Sequence, residues 1–185
     1  MDKTPHFVFR RVFLIEGLPD PLTPASRHLQ LFDNYIPNTR LRIRNIRVPE
    51  TKEWTHILQQ LFYVDGDPGA LRGSEIHLNE SEHGFFERFE GREIRKNRYF
   101  HEFDGREFTF DVYLGHLWGL TEAKVEFRSR EDAVNFEPPA FVVFEVTGDE
   151  FFLGSNLVDK KFADVRAKLN SLEHSLPAPV RGGQE

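Results

Sequence analysis

A mainly β protein of the α+β kind is predicted, with many strands, few helices and one helix near the C-terminal end. Side-chain character alternates at period two in several stretches. In "TRLRIRNIR", residues 39–47, Arg40, Arg42 and Arg44 take one face, and Leu41 and Ile43 the other. Phenylalanine is abundant, at 19 residues against 1 Met, and aromatic residues suit half-buried strands. Pro, Gly and Asn punctuate the alternating runs at short intervals, as in "PNT" and "DG".

In chain order, "HFVFRRVFLI" (6–15) is a strand whose odd positions are apolar except at Arg11. "EGLPDPLTPAS" is a loop by its Pro and Gly content. "HLQLFDNYI" and "RLRIRNI" are two strands joined through "PNT", and "EWTHILQQLFYV" is a further strand. "VDGDPGALRGS" reads as a loop. "NESEHGFFERFEG" reads as a short helix capped by Asn79. "REIRKNRYFHEF" and "REFTFDVYLG" form a hairpin about the Asp-Gly turn. "EAKVEFRS" is a strand, and "SREDAVNF" a short helix leading into "EPPAFVVFEVTGDE". Phe162, Val165, Leu169, Leu172 and Leu176 recur at helical spacing. They predict a last helix of about four turns over 160–176. A single domain over 1–176 and a disordered tail over 177–185 complete the layout.

The chain has 185 residues and 39% hydrophobic content, enough for one real core. A net charge of −6 and a pI near 5.8 argue against a general nucleic-acid binder, but leave room for a locally basic pocket. Cysteine is absent, which removes disulfides and thiolate metal sites and fits a reducing cytoplasm. No apolar run approaches a membrane span and no signal-peptide pattern opens the chain, so no membrane partner is expected and the expected location is cytoplasmic. The eight histidines show no metal-ligand spacing.

Several strands gather charge on one face. Lys96 and Arg98 share a face with Ile94 and Phe100; Asp111 lies with Thr109 and Tyr113; Lys124 and Glu126 lie opposite Ala123, Val125 and Phe127. A sandwich surface would read this way. A closed barrel would too, and it would abolish exposed edges and give the charged face an interior to line. Clustered Arg and Lys in such a lumen repel one another unless acids or a bound anion balance them.

"RLRIR", "EGREIRKNRYFHEFDGREFTFDVYLGHLWGL", "KVEF", "FEPPAF" and "FEVTGDE…NLV" resemble, in this order and spacing, the CYTH family of triphosphate tunnel metalloenzymes. The resemblance implies an eight-stranded antiparallel tunnel barrel with a few outer helices and a C-terminal helix. It implies a lumen that binds a triphosphate group through Arg and Lys, and Mg²⁺ or Mn²⁺ through acids. Members hydrolyse inorganic or thiamine triphosphate, process RNA 5′ ends, make polyphosphate or cyclise ATP.

The family's phosphate-binding Arg pair matches Arg42 and Arg44, and its later Lys and Arg match Lys96 and Arg98. Its first-strand Glu-x-Glu-x-Lys signature does not match: Val8, Arg10 and Val12 stand there. Gln59 stands where a Lys is usual, and Lys124 replaces the first acid of a late Glu-x-Glu. Residual metal candidates are Asp111, Glu126 and Glu75. The expected ligand residues are therefore Arg42, Arg44, Lys96, Arg98, Arg10 and Lys124, with no catalytic residue assigned. The expected partner is a small anion of the triphosphate, nucleotide or polyphosphate kind. With the signature acids missing, the expectation leans to a non-catalytic, pseudoenzyme-like binder without a resident cofactor. One alternative is a divergent Mg²⁺- or Mn²⁺-dependent triphosphatase or nucleotidyl cyclase. A second is a structural module in which Arg10 and Lys124 pair with Asp111 and Glu126.

Overall fold

The computed structural model describes residues 6–175 apart from Asp65 and Glu90; the tail expected over 177–185, and Leu176, lie outside the described residues. Eight strands are β1 (His6–Leu14), β2 (His28–Tyr35), β3 (Leu41–Arg47), β4 (Trp54–Val64), β5 (Asp67–Leu78), β6 (Glu93–Phe103), β7 (Arg106–Tyr113) and β8 (Thr121–Phe127). They pair antiparallel in the order β5-β4-β3-β2-β6-β7-β8-β1, and β1 pairs back onto β5. The sheet is thus a closed barrel. A two-residue strand, β9 (Phe144–Glu145), adds to β1. Helices α1 (Glu80–Gly84), α2 (Arg130–Val134), α3 (Gly154–Leu157) and α4 (Phe162–Ser175) lie outside the sheet.

The stretch expected to be a loop around residues 64–74 is mostly β5, which runs Asp67–Leu78. Gly73 explains the misreading. It lies opposite Leu61, and a Cβ there would fall 2.9 Å from Leu61 Cδ1. The glycine gives that side chain room over the strand and does not break it. A register shift at Tyr63/Val64 absorbs the remaining irregularity. The helix expected over 79–91 is a short α1 followed by a single 3₁₀ turn (Glu87–Phe89). Asn79 caps α1 as expected, in a capping box with Glu82. The last helix starts at Phe162, two residues later than its apolar stripe suggested. The Asp164 carboxylate accepts from the Lys161 backbone N–H at 2.8 Å and fixes that start.

The outward face of β1, β6, β7 and β8 carries a phenylalanine-rich core. Phe13, Phe108 and Phe110 are fully buried there, with Tyr99, Val125 and Phe127. Phe108 and Phe110 stack at 6.0 Å, and Phe103 meets both edge-on. Arg11 interrupts this face of β1 without disrupting it. It donates to Glu145 and to the carbonyls of Ala133 and Phe136, and its guanidinium lies over the Phe13 and Phe136 rings. A second core joins Val12, Leu14, Ile94 and Tyr113 to Leu117, Leu120, Phe152, Leu157 and Val165, so the C-terminal segments cover one end of the barrel.

Phe110→Ala should destabilise the fold by about 3–5 kcal/mol, since it opens a cavity in a fully buried aromatic cluster. Urea unfolding of parent and variant measures this. A loss under about 1 kcal/mol would mean that the cluster is not packed as described.

Candidate anion-binding tunnel

Alternation along the strands sends the charged positions inward. Counting equally away from the β2–β3 turn pairs Tyr35 with Arg42 and Asp33 with Arg44. Arg42 faces Gln59 on β4, and Gln59 faces Glu75 on β5. On the other side Arg98 opposes Asp111, Asp111 opposes Glu122, and Lys124 opposes Thr109 and Val12. Arg10 opposes Glu126. Arg42, Arg44, Lys96, Arg98, Arg10 and Lys124 are therefore brought to one lumen.

Two fully buried carboxylates organise these cations. Asp33 receives Arg44 Nε and Nη2 at 2.6 and 2.7 Å, with Arg42 at 3.5 Å and Lys96 at 3.6 Å. Asp111 receives Arg98 Nε and Nη2 at 2.6 and 2.7 Å, Lys124 at 2.8 Å and Lys96 at 2.9 Å. Lys124 Nζ also lies 2.6 Å from Glu122, whose Oε2 accepts from the Tyr113 hydroxyl at 2.8 Å. Glu122 Oε1 has no hydrogen-bond partner. Arg42 donates to Gln59 at 2.8 Å and to the Tyr35 hydroxyl at 3.1 Å, and Gln59 donates on to Glu75 at 2.9 Å. Arg10 pairs with Glu126 through Nε at 2.9 Å and through Nη2.

Burial alone would raise the Asp33 and Asp111 carboxyls. The neighbouring guanidinium groups outweigh it, Arg44 and Arg42 at Asp33 and Arg98 at Asp111, and hold both well below the usual range. For Lys96, burial wins over the attraction of Asp111 and drives the ammonium down to about 7, with Lys124 adding repulsion. Burial also opposes the charge on Lys124, but Asp111 and Glu122 together raise it.

Two cavities open onto the lumen. One, of about 570 Å³, is lined by Arg10, Arg98, Arg106, Lys124 and Arg128 against Glu107, Glu126 and Asp132. The other, of about 390 Å³, carries Arg10, Arg40, Arg42, Lys96 and Lys124 against Glu122, Asp149 and Glu150. Arg10 and Lys124 line both. Gly154 of α3 lets the backbone approach Tyr35: a Cβ there would fall 1.8 Å from the Tyr35 hydroxyl oxygen that accepts from Arg42.

The acids do not fit a divalent cation where the resemblance places one. Both Asp111 oxygens are engaged by cationic side chains, Glu126 is held by Arg10, and Glu75 is half exposed beside Gln59 and His77. Among the described residues no group of three or more His, Asp or Glu is placed to hold a metal ion. Sequence reasoning missed Asp33 and Glu122. Both were within reach of it: Glu122 shares the face of Lys124 by alternation, and Asp33 lies across the β2–β3 turn from Arg44.

The strands thus form a closed antiparallel barrel whose cation-rich lumen opens at two cavities, the form of a tunnel protein. No family model matches the chain. It is 44% identical to an inorganic triphosphatase of Nitrosomonas europaea over 62 residues, which is 33% of this chain and 41% of the relative. It is 38% identical to an inorganic triphosphatase of Acetivibrio thermocellus over 73 residues, 40% of this chain and 46% of the relative. Each match thus spans less than half of the relative's length. The crystal structure of the inorganic triphosphatase NE1496 superposes with a TM-score of 0.56 at 26% identity, covering 83% of this chain and 95% of that one. Fold and likenesses together fit the CYTH type of triphosphate tunnel barrel. They overturn the expectation that it leans away from being an enzyme: the named relatives are inorganic triphosphatases, so the family is enzymatic and the missing first-strand signature does not mark the chain as inactive.

Asp33→Asn leaves Arg44 buried without its counter-charge, and should cost about 3–5 kcal/mol in denaturant unfolding; a neutral outcome would show that solvent reaches Arg44. Lys96 predicts a pH dependence. Between its folded value of about 7 and its ordinary 10.5, the unfolded chain holds a proton that the folded chain has released. Stability contributed by Lys96 is therefore present at high pH and lost as pH falls through about 7. Its slope approaches about 1.4 kcal/mol per pH unit within that window. Unfolding series at pH 7–9.5 should show the slope in the parent and not in Lys96→Met; equal slopes would mean that Lys96 stays protonated.

Proposed function

We propose that this protein takes an oligophosphate anion into its tunnel, with inorganic triphosphate the first candidate, and cleaves it to diphosphate and phosphate. The observation that carries this reading is the charge of the lumen: each cavity is lined by five cationic against three acidic side chains, and Arg10 and Lys124 join the two. Guanidinium and ammonium groups form charge-assisted bonds to phosphate oxygens, and Arg does so bidentately. Fixed cations also neutralise charge that builds on a phosphoryl group as it transfers. That the relatives are named inorganic triphosphatases supports hydrolysis as the reaction.

Arg42, Arg98, Lys96, Arg10 and Lys124 are proposed as ligand contacts because each lines a cavity. Arg44 lines neither; buried on Asp33, it is proposed to act by holding the network that positions Arg42. Among the described residues no helix is long and apolar enough to cross a membrane. We place the protein in the cytoplasm, a reading supported by the absence of cysteine.

Melting scans at low salt with triphosphate, ATP, polyphosphate and sulfate test the binding. Triphosphate at about 100 times its dissociation constant should add about 2.7 kcal/mol of stability, and the gain should shrink with salt. Phosphate release from triphosphate, assayed in EDTA and with Mg²⁺ or Mn²⁺, should reach on the order of 1 per second and fall at least tenfold in Arg42→Ala. If no anion moves the midpoint and no phosphate is released, the reading is wrong.

A further inference from the structure

Lys124 stands between two buried carboxylates on adjacent strands. Its Nζ is 2.8 Å from Asp111 Oδ2 and 2.6 Å from Glu122 Oε2. Asp111 is fully buried and Glu122 is 1% exposed. Two acids on adjacent strands, β7 and β8, bridged by one cation, have the form of a hard-cation site with an ammonium as its occupant. Lys96 repeats the arrangement between Asp111 at 2.9 Å and Asp33 at 3.6 Å.

We propose that the Lys124 ammonium takes the place of a divalent cation between Asp111 and Glu122, and that the tunnel therefore receives its oligophosphate as the metal-free anion. The inference rests on the oligophosphate reading above and specifies the ionic form of the ligand. An ammonium tethered to β8 supplies positive charge next to the lumen without being recruited from solution. It also repels a further cation at that place. A metal–triphosphate complex arrives with its charge reduced by two and with an ion that needs oxygen ligands. The carboxylates that could supply them are engaged: Asp111 by Arg98, Lys96 and Lys124, and Glu126 by Arg10. The free anion meets the same walls with its full charge. Burial opposes the Lys124 charge, but Asp111 and Glu122 outweigh it, which keeps the surrogate cation protonated. Glu122 Oε1, which has no donor, is the spare oxygen that a real metal ion would engage if the ammonium were removed.

The test is calorimetric titration of the full chain with sodium triphosphate, once in EDTA and once in excess Mg²⁺. The expected result is binding in EDTA that is unchanged or weakened by Mg²⁺. Binding seen only with Mg²⁺, or tightened tenfold or more by it, overturns this inference and leaves the oligophosphate reading standing. Absence of binding in both buffers overturns the two together. The position of the surrogate is tested by Mn²⁺ titration without phosphate. Lys124→Ala should bind Mn²⁺ at least tenfold tighter than the parent, through Asp111 and Glu122, and Lys124→Arg should not. A folded Lys124→Ala that gains no Mn²⁺ affinity refutes the assignment. Should Lys124→Ala not fold, Lys124→Gln takes its place in the Mn²⁺ titration: it should bind at least tenfold tighter than the parent, and a folded Lys124→Gln without that gain refutes the assignment.

Discussion

The charge network around Asp33 and Asp111 is the constraint on which the rest of the barrel depends. Neither carboxylate reaches water, and a buried charge without partners is too unfavourable to persist. Each is stable because guanidinium and ammonium groups from facing strands converge on it. The same contacts hold the cations in place: Arg44 ties β3 to β2, Arg98 ties β6 to β7, Lys124 ties β8 to β7, and Lys96 reaches both acids. Without the acids, six like charges in one lumen would force the barrel apart or lose their protons. Even with them Lys96 is shifted downward, because its burial outweighs the attraction of Asp111.

This arrangement sets the terms on which a ligand enters. The cations are not waiting in open solvent; each already has an acceptor. An incoming anion gains only where it offers more than the resident acid, at groups with spare donors that line a cavity. Arg42 is one, held by the neutral oxygens of Gln59 and Tyr35 and only distantly by Asp33. Arg44, locked bidentately on a fully buried carboxylate, is not. Two residues that look equivalent in "RLRIR" thus differ in setting, one lining a cavity and the other locked into the scaffold.

Much of this was legible in the chain. The clean alternation of β3, β7 and β8 assigned their lumen faces, and the Asp-Gly hairpin fixed the β6–β7 register. What sequence misjudged has physical causes. β5 carries Pro68, Gly69 and Gly73, residues that usually end strands, yet Gly73 is there to make room for Leu61. Asp33 alternates with Leu31 and Tyr35 near the end of β2, a pattern that does not mark it as the anchor of Arg44. Glu122 lies two residues before the Lys124 and Glu126 pair that the resemblance marks, so the pattern itself does not single it out. The absent Glu-x-Glu-x-Lys suggested loss of activity, because a motif was equated with a function. Asp111 and Glu126 stand in this lumen at positions the family pattern marks, but Asp33 and Glu122 do not, and residues matched one by one to that pattern could not reveal those two.

The cations that line the tunnel come from β1, β3, β6 and β8, and their acids from β2, β5, β7 and β8, each held inward by period-two alternation. Insertion or loss of one residue within any of these strands would turn its whole polar row outward and its apolar row in. Descendants of this sequence can therefore vary in length at the connections, such as the Pro-rich stretch between β1 and β2, while the strands keep their residue count. Substitution, and not insertion or deletion, is the route open to a lineage that changes what this tunnel holds.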